Sequence, residues 1–163
     1  MKVGDELPPL RIAITRTLIV SGAIASRDYQ DVHHDADAAR EKGSPDIFMN
    51  ILTTNGLVGR YITDCFGPRA VLRKVAIRLG APNYPGDEML LTGEITAVNG
   101  DEAQVRVLGA NGIGCHVTGK VTVALRETDA LGETVALAET GETVALAETV
   151  ALAETVALGE AAR

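Results

Sequence analysis

Between Asp28 and Asp37 the chain carries Asp28, Asp31, His33, His34, Asp35 and Asp37, its densest run of titratable side chains and two of its three histidines. A histidine titrates near neutral pH and exchanges a proton at little cost, and a carboxylate within reach can orient it or share the water it activates. The same residue types also serve as solvated turn and cap residues, because Asp side chains accept from nearby backbone amides. A divalent metal is a third reading, although His33 and His34 are adjacent and point apart in an extended loop. Residue types alone leave all three open.

The elements that must position these groups are read from periodicity and from chain breakers. Leu10 to Ala25 is rich in Ile, Val and Thr and suits a strand, with Ser21-Gly22 as a bend or bulge. Arg27 to Gly43 is polar and loop-like, with a helical turn through Ala36 to Glu41. Ser44-Pro45 has the chemistry of a helix start, since serine caps free amides and proline at the first helical position wastes none. The spacing predicts a helix from there to about Cys65, with Ile47, Ile51, Val58 and Ile62 recurring at helical intervals. Gly56 and Gly59 fall inside it, each costing about 1 kcal/mol relative to alanine, which makes sense where another backbone approaches closely. Gly67-Pro68 stops the helix, and strands follow at about 70–79, 88–98, 102–109 and 114–126, with Asn99-Gly100 and Asn111-Gly112 as hairpin turns. One helix between a first strand and an antiparallel meander is an α+β layout with the sheet wrapped around the helix.

Composition narrows the function classes. A 46% hydrophobic chain of 163 residues is enough for one domain with a real core. The net charge of -7 is confined to one end: residues 1–126 carry 14 acids and 14 bases, whereas residues 127–163 carry 8 acids and only Arg163. A neutral body without interleaved basic and aromatic residues offers nothing for nucleic acid. No stretch approaches the roughly 20 continuous apolar residues of a membrane span, and Met1 to Leu10 lacks a secretory-signal pattern, so the expected address is cytoplasmic. Cys65 and Cys115 are too few for a disulfide framework or a cysteine zinc site and read as core thiols. The end of the chain repeats ETVALA at 133–138, 142–147 and 148–153, with ETVALG at 154–159. A period of six smears Val and Leu around a helix axis, so residues 127–163 are expected to form a low-complexity, mobile tail behind a domain of residues 1–126.

The run Arg27-Asp28-Tyr29-Gln30-Asp31-Val32-His33-His34-Asp35-Ala36-Asp37-Ala38-Ala39 resembles the signature of the MaoC-like, or hydratase 2, family, Gly-Asp-x-Asn-Pro-Ile/Val-His-x-Asp followed by Ala four residues later. Asp28, Val32, His33, Asp35 and Ala39 match, while Gln30-Asp31 replaces Asn-Pro and Arg27 replaces the glycine. Gly43-Ser44-Pro45 resembles the family's entry into its central helix, and Pro85-Gly86-Asp87 its Pro-Gly-Asp turn. Where the family has Ala-His-Gly at the helix start, this chain has Phe48-Met49-Asn50.

The resemblance implies a single hotdog fold and hydration of a trans-2-enoyl-CoA to a 3-hydroxyacyl-CoA. Asp28 and His33 are the implied catalytic pair, binding one water between them. Asn50, through its backbone amide, with Met49 and Gly56, is the implied substrate-binding set. No metal and no cofactor beyond the coenzyme A of the substrate is implied. The run of residues is most similar to the small subunit of the two-chain actinobacterial hydratases that act on steroid (cholesterol) side-chain thioesters. That likeness implies a second MaoC-like hotdog subunit as partner and, through it, a thiolase. Two alternatives share the motif: a 3-hydroxyacyl-ACP dehydratase of fatty-acid synthesis, and a non-catalytic scaffolding hotdog.

Overall fold

A computed structural model describes residues 1–125 of the chain, so the expectation for the repeats at 127–163 lies outside the described residues. Strand β1 (Glu6–Ala13) is followed by helices α1 (Arg16–Ala25), α2 (Ala36–Glu41) and α3 (Ile51–Phe66), then by strands β2 (Ala70–Leu79), β3 (Glu88–Asn99), β4 (Glu102–Ala110) and β5 (Cys115–Leu125). The strands form one antiparallel sheet in the order β1-β3-β4-β5-β2. The α+β layout expected of a hotdog is present, with α3 packed across one face of the sheet.

Strand alternation explains which face is covered. Along β4, Ala103, Val105 and Val107 are buried while Gln104, Arg106 and Leu108 are exposed, a period of two that turns one row inward. The inward rows of β3, β4 and β5 meet Val58, Tyr61 and Ile62 of α3, and this contact is the core. The outward rows carry ion pairs such as Arg106 with Glu94 and Arg73 with Glu102.

Two sequence expectations fail, and each fails for a long-range reason. The strand expected over 10–25 ends at Ala13, because Thr15 caps a helix by accepting from the Leu18 amide at 3.0 Å. Local β-branched propensity is outweighed by burial of Ile19 and Ala23, one helical turn apart on the face that meets α3. Gly22, expected at a bend, lies inside α1. A Cβ there would stand 2.2 Å from Thr53 Oγ1, so glycine is what lets α1 cross α3 this closely. Gly59 has the Leu72 side-chain tip, Cδ1, at 3.3 Å from where its Cβ would stand and Gly56 faces open space, so the close backbone approach expected at both is found at neither.

The helix expected to begin at Ser44-Pro45 begins at Asn50. Ser44 does not cap it: its hydroxyl donates to the Asp46 carbonyl at 2.8 Å. Residues 44–50 stay irregular because their amides are engaged elsewhere, Phe48 N–H with the Val32 carbonyl and Met49 N–H with the Asn83 carbonyl. Arg16 donates to both oxygens of Asp46 at 3.1 and 2.6 Å, which ties this segment to α1 and holds the Asp46 carboxyl below its ordinary range. Cys115, expected in the core, is exposed, and Cys65 is half-buried.

Tyr61 sits at the centre of the core with its side chain 1% exposed, and its hydroxyl has no hydrogen-bond partner among the described residues. Burial pushes that hydroxyl from 10.0 up to about 12, with the neighbouring Cys65 adding to the shift. The fold therefore favours the neutral phenol, and the stability it protects is complete below pH 10 and falls as pH rises towards 12. Tyr61→Phe removes an unpaired buried polar group, so it is expected to stabilise the chain by about 1 kcal/mol and to flatten the alkaline loss. Urea unfolding at pH 7 and pH 11 measures both effects.

Candidate active site

Helix α1 ends in a way that delivers Asp28. The Asp28 amide donates to the Ala23 carbonyl at 2.9 Å and the Arg27 amide to the Ile24 carbonyl at 3.0 Å, the paired bonds of a Schellman cap. Such a cap needs a left-handed residue just before its last donor. Arg27 fills that place with φ 57°, the only non-glycine residue with positive φ among the described residues. This is the position where the resembled signature has glycine, so the cap is kept at the cost of a strained arginine.

The loop then makes a 3-10 turn, Asp31–His33, with the His34 and Asp35 amides both donating to the Asp31 carbonyl. His33 is buried at the end of this turn, and His34 is exposed with its Nε2 3.3 Å from the Tyr29 carbonyl. The two rings part, as adjacency dictates. Asp35 caps α2 by accepting from Asp37 N–H and Ala38 N–H, and these amides hold its carboxyl below the usual range. Asp31 pairs with Lys42 and Asp37 with Arg40. Of the six titratable groups singled out, four thus serve turns, caps and surface pairs, and only Asp28 and His33 converge. The described residues hold no group of three or more His, Cys, Asp or Glu side chains placed to bind a metal ion.

His33 Nε2 lies 3.4 Å from Asp28 Oδ2. Its Nδ1 is 2.7 Å from the Phe48 carbonyl, and its ring meets the Phe48 ring edge-on at 5.0 Å. A carbonyl can only accept, so Nδ1 carries a proton and Nε2 is the ring nitrogen that faces Asp28. The separation exceeds that of a charge-assisted hydrogen bond, roughly 2.7–2.9 Å, and suits two groups that both touch a third oxygen.

Asn50 closes the site with its side chain. Its Nδ2 donates to Asp28 Oδ2 at 3.0 Å and to Ser26 Oγ at 2.9 Å, while its Oδ1 accepts from Thr53 N–H at 2.9 Å and so caps α3. The backbone amides of Asn50, Ile51 and Leu52, at the positive end of α3, donate to no protein group among the described residues. Asn50 is therefore both the start of the helix and the orienting group for the Asp28 carboxylate.

The other expected binding residues stand differently. Met49 is buried, with its amide given to the Asn83 carbonyl and its sulfur beside Asn83 Nδ2, so it supports the site from beneath and presents no donor to it. Gly56 is on the exposed face of α3, six residues beyond Asn50 and about 9 Å along the axis. Ser26 and Phe48, which sequence reasoning missed, contribute a hydroxyl and a carbonyl. Asn50 as helix cap was within reach of sequence rules, because Asn before Ile-Leu-Thr is a fair N-cap signal.

Residues flanking the pair leave apolar surface in the open: Ile24, Tyr29, Ile51 and Leu52 are each about half or more exposed. A groove of about 960 Å³ lies elsewhere, lined by Arg78, Glu94, Arg106 and Lys120 among others, and includes neither Asp28 nor His33.

No family model matches the chain. A curated relative, the 3-oxo-4,17-pregnadiene-20-carboxyl-CoA hydratase beta subunit of Mycobacterium tuberculosis, is 49% identical over 126 residues, 77% of this chain and 98% of the relative. A chain in the crystal structure of the ChsH1-ChsH2 complex from Mycobacterium tuberculosis is 50% identical, with a TM-score of 0.75 over 77% of this chain and 98% of that one. The unliganded R-hydratase PhaJ1 from Pseudomonas aeruginosa is 19% identical with a TM-score of 0.71, covering 78% and 84% of the two chains, and shows likeness of fold alone.

The strained cap can be tested directly. Arg27→Gly is expected to raise unfolding stability by about 1 kcal/mol, since glycine adopts positive φ without steric penalty. Denaturant unfolding of the parent and the variant measures it.

Proposed function

The chain belongs to the MaoC-like hotdog hydratases, and on that premise we propose that it is the catalytic subunit of an enoyl-CoA hydratase acting on a steroid side-chain thioester. The observation that carries this reading is the convergence of His33 Nε2 and Asp28 Oδ2 at 3.4 Å, with Nδ1 of His33 committed to the Phe48 carbonyl.

The pair holds one water between the carboxylate and the unprotonated ring nitrogen. His33 takes a proton from that water as its oxygen bonds to the β-carbon of the trans-2-enoyl thioester. The π electrons of the double bond move towards the thioester carbonyl, giving an enolate. Amides at the start of α3, from Asn50 to Leu52, face that negative charge together with the positive end of the helix. The proton gathered by His33 passes to Asp28 and from there to the α-carbon, so the enzyme ends as it began and the product is the 3-hydroxyacyl thioester. Each step uses only side chains and amides of this chain; coenzyme A enters as part of the substrate.

The apolar rim of Ile24, Tyr29, Ile51 and Leu52 supports a second hotdog subunit that walls the acyl site. The likeness to a hydratase beta subunit and to a chain of the ChsH1-ChsH2 complex supports the same arrangement; in this reading a thiolase would meet the second subunit. The activity belongs to the cytoplasm in this reading; no described helix is long and apolar enough to cross a membrane.

Loss of enoyl absorbance is followed with a steroid enoyl-CoA and a short straight-chain enoyl-CoA, for the chain alone and co-expressed with its hotdog partner. Turnover of the bulky thioester by the complex is expected, with Asp28→Asn and His33→Ala each lowering it by about a hundredfold to ten-thousandfold. Variants within a few-fold of the parent would show that the pair is not catalytic. A preference for carrier-protein thioesters over CoA would assign the chain to fatty-acid dehydration instead.

A further inference from the structure

His116, the third histidine of the chain, is 1% exposed and lies on β5 away from the loop that carries the other two. Its position is produced by a bulge. Ala110 pairs with Cys115 but Gly109 pairs with Val117, which leaves His116 as the extra residue, buried beside a buried Val117 where strict alternation would turn it outward. The Gly80 and Ala81 amides bond to the His116 and Cys115 carbonyls, both at 2.8 Å. A Cβ on Gly80 would stand 2.5 Å from the Cys115 carbonyl oxygen, so only glycine permits this docking.

The imidazole then adds a link, inside the first turn of α3, between that helix and the 80–83 segment, which meet already just before the helix through Met49 N–H and the Asn83 carbonyl. Its Nδ1 is 2.6 Å from the Ala81 carbonyl and therefore donates, so its Nε2 accepts, and the Thr54 hydroxyl donates to it at 2.9 Å. Thr54 stands one turn after Asn50, its amide bonded to the Asn50 carbonyl. The segment from Gly80 to Asn83 in turn holds Met49 through the Asn83 carbonyl, with Asn111 fixing Asn83 and Pro82 at 2.8 Å. Thus one buried ring ties down both the first turn of α3, which carries Asn50, and the loop that supports Phe48 and Met49. These are the two supports of the pair: Asn50 orients Asp28, and the Phe48 carbonyl holds His33.

We propose that His116 is a positioning residue for the Asp28–His33 pair, acting through Thr54 and Ala81 on the start of α3. This rests on the hydratase reading for its kinetic readout, though its structural readout does not. Burial keeps the ring less basic than an ordinary histidine, outweighing the pull of the Ala81 carbonyl, so the accepting Nε2 is retained at neutral pH. A neutral ring with one donor and one acceptor matches the Ala81 carbonyl and the Thr54 hydroxyl, whereas a second proton would turn that hydroxyl away to accept from the ring and donate to the Asn50 carbonyl, 3.3 Å away.

Three variants of the full chain, co-expressed with its hotdog partner, test this. Thr54→Val keeps the shape and removes the hydroxyl, Thr54→Ser keeps the hydroxyl, and His116→Asn shortens the link. Thr54→Val and His116→Asn are expected to lower kcat by about tenfold to a hundredfold, with KM changed by less than about threefold, as fits loss of geometry without loss of binding. Thr54→Ser is expected to return kcat to within about threefold of the parent. Independently of turnover, the nitrogen-15 resonances of the His33 ring are expected to shift in Thr54→Val and to stay at parental values in Thr54→Ser. The proposal is overturned if Thr54→Val and Thr54→Ser are indistinguishable in both readouts, or if lost activity only tracks a lost fraction of folded protein. A parent without hydratase turnover would sink the hydratase reading alone, and the His33 spectrum would still decide the role of His116.

Discussion

The candidate site of this chain hangs on one side-chain amide. Asn50 spends its oxygen on the Thr53 amide, beginning α3, and its nitrogen on Asp28 and Ser26, at the end of α1. A helix cap contributes about 1 kcal/mol, and a hydrogen bond to a buried-side carboxylate about 1.5–3 kcal/mol. Because the same rigid, planar group makes both, the carboxylate cannot move without the helix start moving too. The free amides of that first turn are therefore held at a constant distance from the Asp28–His33 pair.

Backbone groups supply most of the remaining organisation. The Schellman cap of α1 sets where Asp28 leaves the helix, the 3-10 turn sets where His33 stands, and the Phe48 carbonyl selects its tautomer. Main-chain donors and acceptors have far fewer rotatable bonds than long side chains, so a site aimed by them loses little entropy on ordering. The irregular segment 44–50 is the cost of this arrangement. It cannot be helical while its amides serve Val32 and Asn83.

The surface beside the pair has a different character from the rest of the molecule. The outward face of the sheet is laced with exposed ion pairs, worth little individually but well solvated. Around Asp28 and Asn50, by contrast, Ile24, Tyr29, Ile51 and Leu52 lie open. Apolar side chains gathered beside a polar pair mark a surface suited to being covered, and in the proposed chemistry covering it would remove water from the place where charge develops. A bulky acyl group and a second subunit are the two coverings the proposed function requires.

The parts of this protein legible in sequence are those decided by near neighbours. The strands β2 to β5 follow from alternation and from Asn-Gly turns, α2 matches the helical turn expected over Ala36 to Glu41, and the pairing of Asp28 with His33 follows from a family-like motif of residues five apart on one loop. What stayed hidden was decided by residues distant along the chain. Leu10 to Ala25 reads as a strand until burial against α3 makes its second half helical, and Ser44-Pro45 reads as a helix start until Asn83 and Val32 claim the amides that follow. Gly56 and Cys115 looked interior by type, yet both are exposed, and the orienting role of the Asn50 side chain was invisible because Asp28 lies 22 residues away. Periodicity and turn chemistry thus determined the sheet, because they act within a few residues, and the Asp28–His33 pair was legible through the resemblance of its local motif to a family signature. The tertiary structure alone decided how the pair is held, because each of its supports is a hydrogen bond closed across the fold.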